Sequence, residues 1–267
     1  MPVRVGLDVL LQEQGDLLKR QRVGLVTNPT GVTGRLQSNV GALRAAGVNL
    51  VALFGPEHGF SASAADATPV ASARDARTGL PIHSLYGETR KPTADMLAGV
   101  DVMLFDLQDV GVRFYTYTAT LALTLQACAA SQVKLIVLDR PNPINGNVLE
   151  GPILDPELQS FIGIGRLPIR YGLTIGELAQ FYNYAHPLRA ELQVIELQGW
   201  RREMWFDETG LTWVPPSPGI PHVSTTIVYP GMCFVEGTNL SEGRGTALPF
   251  EIVGAPWLDG DALAEEL

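Results

Sequence analysis

An acid and an imidazole stand directly after a buried-strand pattern in the first quarter of the chain. Glu57 and His58 follow the apolar run 51–54 and the pair Gly55 and Pro56, and the proline ends the strand because it has no N–H to donate. A carboxyl group that is partly desolvated at a strand end is favoured in its neutral form, which suits it to donate a proton. Taken alone, a helix cap at Glu57 and a surface residue at His58 explain the pair equally well.

Three further apolar runs end in the same way. The runs 22–27, 101–105 and 134–138 are nearly continuous in aliphatic residues, which is typical of parallel strands covered on both faces. Polar, turn-forming residues follow each run, and open parallel sheets bind ligands outside the carboxyl ends of their strands. We therefore predict that Glu57, Asp106 and Asp139 lie at one end of one sheet, around a shared polar crevice.

These strand ends, and a later apolar run that ends in acid and glycine, supply the candidate site residues. The catalytic candidates are Glu57, His58, Asp106 and Glu150. The candidates for substrate binding are Asn28, Gln108, Asp109, Arg113, Tyr115, Tyr117, Asp139, Arg140, Asn142, Glu236 and Arg244. For each arginine a structural ion pair is the alternative, and for the two tyrosines it is a place in the core.

Composition and missing motifs exclude several classes of function. The net charge of −9 argues against a nucleic-acid partner, and no apolar stretch is long enough to span a membrane. We expect Cys128 and Cys233 to be buried, inert thiols rather than a disulfide or metal ligands. The chain lacks a complete dinucleotide or phosphate-binding fingerprint, and its four histidines lack zinc-ligand spacing. No cofactor is predicted, although a hard divalent cation held by Glu57, Asp106 and Asp109 remains an alternative.

The wider pattern predicts an α/β protein that forms one extended domain. Helices are predicted over 7–18 (with Gly15 as a weak point), 39–46, 93–97, 119–130 and 174–184, and the start of another over 259–267. Further strands are predicted over 81–85, at a sheet edge, and over 193–197, 227–229 and 232–235. Residues 61–78 lack apolar periodicity, which is typical of a functional lid or a mobile loop.

Eight motifs follow one another along the chain: LVTNPTGV, LFGPEHG, FDLQDVGVRFYTY, LDRPNPING, VLEGP, WVPPSP, VYPG and EGTNLSEGRGT. They resemble the motifs of the DUF1343 family, whose members include exo-β-N-acetylmuramidases. The resemblance implies a Rossmann-like, three-layer catalytic domain with a mostly parallel sheet, here expected over 2–254. It also implies a smaller C-terminal domain, of which 255–267 would be the incomplete start. The implied reaction releases terminal N-acetylmuramic acid from a β-1,4-linked glycan of peptidoglycan, and Glu57 matches the family's acid.

The chemistry expected from the residues agrees with this resemblance. Glycoside hydrolysis ordinarily uses a protonated carboxyl and a second carboxylate, or the acetamide of the substrate in place of the second. Asp106, Asp109, Glu150 and Glu236 are the candidates for the second carboxylate. Arg113, Arg140 or Arg244 could pair with the lactyl carboxylate of muramic acid.

Two rival interpretations of function stay open at this point. The segment Phe60 to Ala64 departs from the family pattern, which favours a glycan-binding protein without turnover as one alternative. A metal-dependent hydrolase is the other. The first residues lack a charged segment followed by an apolar one, which predicts a cytoplasmic protein, although removal of a leader would give the same start.

Overall fold

A mostly parallel sheet runs through the computed structural model, which describes residues 2–185 and 188–266. Its strands are β1 (Val23–Thr27), β2 (Leu50–Gly55), β3 (Ala73–Arg74), β4 (Pro81–Ser84), β5 (Val102–Asp106), β6 (Lys134–Leu138) and β7 (Leu192–Ile195). The helices are α1 (Gly6–Glu13), α2 (Asn39–Ala45), α3 (Ala94–Leu97), α4 (Tyr117–Ser131), α5 (Ile175–Ala185), α6 (Val223–Met232) and α7 (Gly260–Glu266). Short 3-10 helices cover Gly15–Leu18, Pro156–Leu158, Phe206–Thr209 and Cys233–Gly237.

The strands lie in the order β3-β4-β2-β1-β5-β6-β7. All neighbouring pairs are parallel except β3 and β4. The direction of winding changes between β1 and β5, where Thr27 is paired with Asp106, and this is the kind of position at which open sheets form crevices. The run 81–85 was wrongly predicted as an edge strand, because the two-residue strand β3 pairs with the outer side of β4.

Alternating strand residues enter two separate cores, one on each face of the sheet. Leu25 and Leu104 pack on the face covered by α1 and α2. Val26 and Phe105 pack on the opposite face, with residues of α4 and α5. The predicted three-layer α/β fold, with strands that are apolar on both sides, is therefore confirmed.

The predicted helices are confirmed, with small shifts at their ends. The helix predicted over 7–18 divides around Gly15 into α1 and a 3-10 turn, as the weak helix propensity of glycine leads one to expect. A reciprocal capping box begins α5: the Thr174 N–H donates to Glu177 Oε2 at 3.0 Å, and the Glu177 N–H donates to Thr174 Oγ1 at 3.2 Å.

The strands predicted over 227–229 and 232–235 are wrong, because this part of the chain is helical. It forms α6 and the following 3-10 helix, with Pro230 inside α6. Thr225, Thr226 and Tyr229 are buried while Ile227 and Val228 are exposed, a spacing that fits a helix and not a strand. Short apolar runs do not distinguish the two by themselves, and here the burial of one helical face decides.

Two other sequence expectations can be compared with this fold. Cys128 is buried as predicted, whereas Cys233 is only partly buried, and both thiols are free. Within residues 2–185 and 188–266, no helix has the length and hydropathy needed to cross a lipid bilayer.

Candidate active site

The carboxyl ends of the parallel strands bring the predicted acids to one edge of the sheet. Glu57 follows β2, Asp106 is the last residue of β5 and Asp139 follows β6. These strands belong to the parallel part of one sheet, so their carboxyl ends point the same way. The predicted common location of the three acids is confirmed, and Glu57 lines a pocket to which neither Asp106 nor Asp139 contributes.

That pocket has a volume of about 220 Å³. Its walls come from the turn after β2, the start of α4, and a segment that runs from Ser217 to Phe250. The charged and polar side chains that line it include Glu57, His58, Asp66, Thr116, Glu236 and Arg244. Its aromatic lining consists of Tyr86, Phe114, Tyr115, Tyr229 and Phe250.

Glu57 is held at the pocket wall by one hydrogen bond on each carboxylate oxygen. The Ala67 N–H donates to Oε1 at 3.1 Å, and the Thr116 hydroxyl donates to Oε2 at 2.7 Å. The side chain is mostly desolvated, since Glu57 is 7% exposed. Burial raises the pKa of the nearby Tyr86, and the charge of Glu57 adds to this rise. Glu57 is thus an oriented carboxyl group next to open space.

His58 lies beside Glu57 with an unusual backbone conformation. Its φ is +67°, in the left-handed region that non-glycine residues adopt uncommonly. The ring is buried, with Nδ1 2.9 Å from the Ala64 carbonyl oxygen and Nε2 3.6 Å from Asp66 Oδ1. His58 therefore connects the turn after β2 to the loop that follows it.

Arg244 also lines the pocket and is surrounded by carboxylates. Its Nε lies 2.7 Å from Asp66 Oδ2, its Nη2 2.7 Å from Glu236 Oε1 and its Nη1 3.1 Å from Glu242 Oε1. Burial acts to lower the pKa of Arg244, but the hydrogen bond to Glu236 and the charge of Asp66 outweigh it and raise the pKa above its ordinary value. Arg244 is therefore a permanent cation in this pocket.

Aromatic rings form an edge-to-face cluster around the same space. The ring centroid of Tyr229 lies 4.7 Å from that of Phe250, 5.4 Å from that of Phe114 and 6.2 Å from that of Tyr115. Burial raises the pKa of Tyr115 and of Tyr229 well above the ordinary value, so both hydroxyls stay protonated. The pocket thus combines flat apolar faces with a few polar groups, a common composition of ligand sites.

Several residues predicted to bind or react are part of the scaffold below the pocket. Arg140 Nε donates to Asp106 Oδ1 at 2.7 Å, and this ion pair is almost completely buried. Asp106 Oδ2 also accepts a hydrogen bond from Asn39, and Arg140 donates to the Val32 carbonyl oxygen. Both partners therefore tie β5 and β6 to the loop after β1, and neither points into the pocket.

Three further candidates, Asn28, Gln108 and Tyr117, are buried and make hydrogen bonds within the scaffold. The Tyr117 hydroxyl donates to the Pro216 carbonyl oxygen at 2.6 Å and accepts from Asn28 Nδ2 at 2.7 Å. Gln108 Nε2 donates to the carbonyl oxygen of Pro141 at 2.8 Å. Of the two candidate tyrosines, it is Tyr115 that lines the pocket.

Asp109 and Asp139 accept hydrogen bonds from a turn and from a helix end, respectively. Asp109 accepts from the Tyr171 hydroxyl and from the Gly111 N–H, and burial raises its pKa to about 6. Burial raises the pKa of Asp139 to about 7. Asp139 caps α5 by accepting from the Gly176 N–H at 2.7 Å.

The structure separates two further candidates from the pocket. Arg113 donates from Nη1 to the Pro152 and Leu167 carbonyl oxygens. The Glu150 side chain is 65% exposed and pairs with Arg170 at 3.0 Å. Neither lines the pocket that contains Glu57. Asn142 likewise bonds to backbone, with Nδ2 donating to the Leu173 carbonyl oxygen at 2.9 Å.

Sequence reasoning missed three groups around Glu57: Asp66, Thr116 and Tyr86. Asp66 lies in the segment predicted as a lid or mobile loop, so an acid in that loop was the available signal. Thr116 lies between two tyrosines that were considered, and its contact with Glu57 depends on how α4 begins. Among the described residues, no group of three or more His, Cys, Asp or Glu side chains is placed to hold a metal ion.

Sequence comparison assigns most of the chain to a known family. The family model described as exo-β-N-acetylmuramidase NamZ, N-terminal, matches residues 23–224, and its C-terminal counterpart matches residues 227–267. The chain belongs to the NamZ exo-β-N-acetylmuramidase family. The resemblance inferred from the eight motifs is thereby confirmed.

Individual relatives agree with this assignment. The peptidoglycan β-N-acetylmuramidase NamZ of Bacillus subtilis (strain 168) is 48% identical over 266 residues, which are 99% of this chain and 64% of the Bacillus protein. The chain therefore spans less than two thirds of that curated relative. Glu57 comes from the part matched by the N-terminal NamZ model, whereas Glu236 and Arg244 come from the part matched by the C-terminal model.

Two crystal structures of DUF1343 family proteins from Bacteroides fragilis NCTC 9343 share the fold. One superposes with a TM-score of 0.91 at 41% identity, covering 99% of this chain and 68% of the other. The second has a TM-score of 0.84 at 35% identity, covering 97% of this chain and 69% of the other. This chain therefore shares its fold with two DUF1343 family proteins.

Proposed function

We propose that this protein is an exo-β-N-acetylmuramidase that releases terminal N-acetylmuramic acid from β-1,4-linked peptidoglycan fragments. The observation that carries the proposal is the position of Glu57, a desolvated carboxyl group oriented by two hydrogen bonds at the wall of an open pocket. Membership of the NamZ family and the name of the Bacillus relative support the same activity.

In this proposal Glu57 is the general acid that protonates the departing glycosidic oxygen. A general acid must reach the leaving group, and Glu57 is the strand-end acid that lines the pocket. The aromatic cluster around Tyr115 and Tyr229 offers ring faces and hydroxyl groups to a sugar. The volume of the pocket suits one sugar unit, as release of a terminal residue requires.

The second group of the reaction is one of three. Asp66 and Glu236 are the further carboxylates that line the pocket, and the acetamide oxygen of the substrate is the alternative. Asp106, Asp109 and Glu150, which the sequence also suggested, do not line the pocket. We therefore propose that a carboxylate partner, where one is used, is Asp66 or Glu236.

The substitution Glu57→Gln tests the proposal because it keeps the shape of the side chain and removes its acidic proton. We expect turnover of a natural disaccharide to fall about 10²–10⁴-fold, with an unchanged melting temperature. The loss should be smaller for an aryl glycoside, whose leaving group scarcely needs protonation. Glu150→Gln is the matched control, and we expect it to stay close to wild type because Glu150 is exposed outside the pocket.

Two results would contradict the proposal. Near-normal turnover of the disaccharide by Glu57→Gln would show that another residue is the acid. A wild-type protein that binds the disaccharide without releasing N-acetylmuramic acid would be a glycan-binding protein instead.

A further inference from the structure

An irregular loop, residues 61–72 between β2 and β3, covers part of the pocket. Three residues within 64–67 contact groups of the pocket, and Val70 donates its N–H to the Tyr86 carbonyl oxygen at 2.7 Å. The Ala64 carbonyl oxygen lies 2.9 Å from His58 Nδ1, and Asp66 Oδ1 lies 3.6 Å from His58 Nε2. The loop is therefore attached to the residues of the site and has no regular secondary structure that would fix it independently.

Two adjacent loop residues contact Arg244 and Glu57, the cation and the candidate acid of the pocket. Asp66 places Oδ2 2.7 Å from Arg244 Nε, and Ala67 donates its N–H to Glu57 Oε1 at 3.1 Å. Because Asp66 and Ala67 are adjacent in the chain, one contact cannot be broken by a loop movement without disturbing the other. The loop thus links the cation of the pocket to its acid.

The contact of Arg244 with Asp66 is less well aligned than its other ion pairs. Nη2 and Nη1 donate hydrogen bonds to Glu236 and Glu242. The buried Nε N–H makes no hydrogen bond within the described residues, although Asp66 Oδ2 is only 2.7 Å away. Arg244 therefore keeps one donor that a better-placed acceptor could satisfy.

We propose that Asp66 occupies the position of a ligand carboxylate on Arg244, and that the ligand displaces it. Three carboxylates already surround one guanidinium group, so a further anion binds well only if one of them leaves. Glu236 belongs to the 3-10 helix Cys233–Gly237, and the backbone of Glu242 accepts the Phe250 N–H at 2.6 Å. Asp66 lies on the loop, where its backbone carbonyl oxygen accepts a hydrogen bond of 3.4 Å from the Thr68 hydroxyl of the same loop.

The ligand carboxylate is that of the lactyl group of N-acetylmuramic acid. This choice of ligand rests on the proposed function. When that carboxylate takes the Nε edge of Arg244, Asp66 leaves and Ala67 moves with it, so that Glu236 or the acetamide oxygen of the substrate is then the second group of the reaction. Glu57 Oε1 is then free to face the sugar. A sugar without a carboxylate cannot replace Asp66, and the loop then stays in place. Recognition of the lactyl carboxylate is therefore coupled to exposure of Glu57.

Asp66→Asn tests this coupling because it removes the competing charge with little change in shape. We would titrate N-acetylmuramic acid and N-acetylglucosamine, which lacks the lactyl group, into each protein by calorimetry. The wild type should prefer N-acetylmuramic acid. Asp66→Asn should bind N-acetylmuramic acid roughly tenfold more tightly and N-acetylglucosamine unchanged. Asp207→Asn, an exposed aspartate with the same change in charge, is the control and should match the wild type.

Arg244→Gln supplies the complementary measurement, since it should abolish the preference for N-acetylmuramic acid. The inference is overturned if Asp66→Asn binds N-acetylmuramic acid no better than the wild type, or if it binds both sugars more tightly. It is also overturned if Arg244→Gln keeps the preference for N-acetylmuramic acid, or if the wild type has no such preference. Free monosaccharides are not cleaved, so these outcomes are independent of turnover. A protein that shows the expected binding but releases no sugar from a disaccharide would refute the proposed function and leave the role of Asp66 intact.

Discussion

The Thr116 hydroxyl donates a hydrogen bond of 2.7 Å to Glu57 Oε2. Thr116 immediately precedes α4, in which ten of the fifteen residues are buried. A buried helix, fixed on nearly all sides, thus sets the orientation of the candidate acid. Orientation of a reacting group within a fraction of an ångström is one of the main contributions of a protein to rate.

Thr116→Val should lower turnover about tenfold because the isosteric side chain removes a hydrogen bond that orients the Glu57 carboxyl group. The measurement is kcat for the disaccharide, together with the melting temperature. Thr124→Val is a suitable control, since the Thr124 hydroxyl bonds to the Thr120 carbonyl oxygen within the same helix at 2.7 Å. Equal kcat values for the two variants would show that Thr116 does not position Glu57.

Arg140→Leu should destabilise the fold by roughly 3–5 kcal/mol, because it leaves the buried charge of Asp106 without its partner. Urea unfolding followed by circular dichroism measures this free energy. Arg201→Leu breaks a pair that is exposed and should change stability little. A double variant, Asp106→Leu with Arg140→Leu, should recover much of the loss. A stable but inactive Arg140→Leu protein would instead support the substrate-binding role predicted from the sequence.

Asp139→Asn should flatten the pH dependence of stability. Burial raises the pKa of Asp139 from 3.8 to about 7, so between these values the folded state binds more protons than the unfolded state. The free energy of unfolding then decreases as the pH rises through this window. An asparagine keeps the acceptor for the Arg140 and Gly176 N–H groups, and its amide can donate to the Thr174 hydroxyl.

The corresponding measurement is the free energy of unfolding at pH 5 and at pH 8. The wild type should lose more stability between the two than Asp139→Asn does. Asp109, with a pKa raised to about 6, contributes a slope of the same sign, so some pH dependence remains in the variant. Identical slopes for the wild type and Asp139→Asn would show that Asp139 is ionised in the folded protein throughout this range.

Local sequence patterns were sufficient to predict the six parallel strands of the sheet and the end of it at which the acids lie. Near-continuous apolar runs followed by turn residues identify parallel strands, and parallel strands align their carboxyl ends. The helix α6 could not be predicted in the same way. Its form follows from the burial of Tyr229 against Phe114 and Phe250, contacts that span much of the chain and leave no local period.

The same limit applies to the side chains of the site. Arg140 and Arg244 both lie in polar segments between regular elements, and nothing in the sequence distinguishes the arginine buried against Asp106 from the one that lines the pocket. Likewise, Tyr115 and Tyr117 are two residues apart, and only their packing shows that Tyr115 lines the pocket and Tyr117 does not. The contacts that each side chain makes in the folded chain decide its role.

The pocket is built from both sides of the junction between the two matched parts of the chain, since Glu57 precedes residue 224 and Arg244 follows residue 227. During evolution, a recombination event at that junction would separate the candidate acid from the cation of the same pocket. The two parts are therefore expected to be inherited together, and chimaeras of distant relatives joined there should require matched residues at positions 66 and 244. Exchanging one part alone would test whether the two halves of the pocket have coevolved.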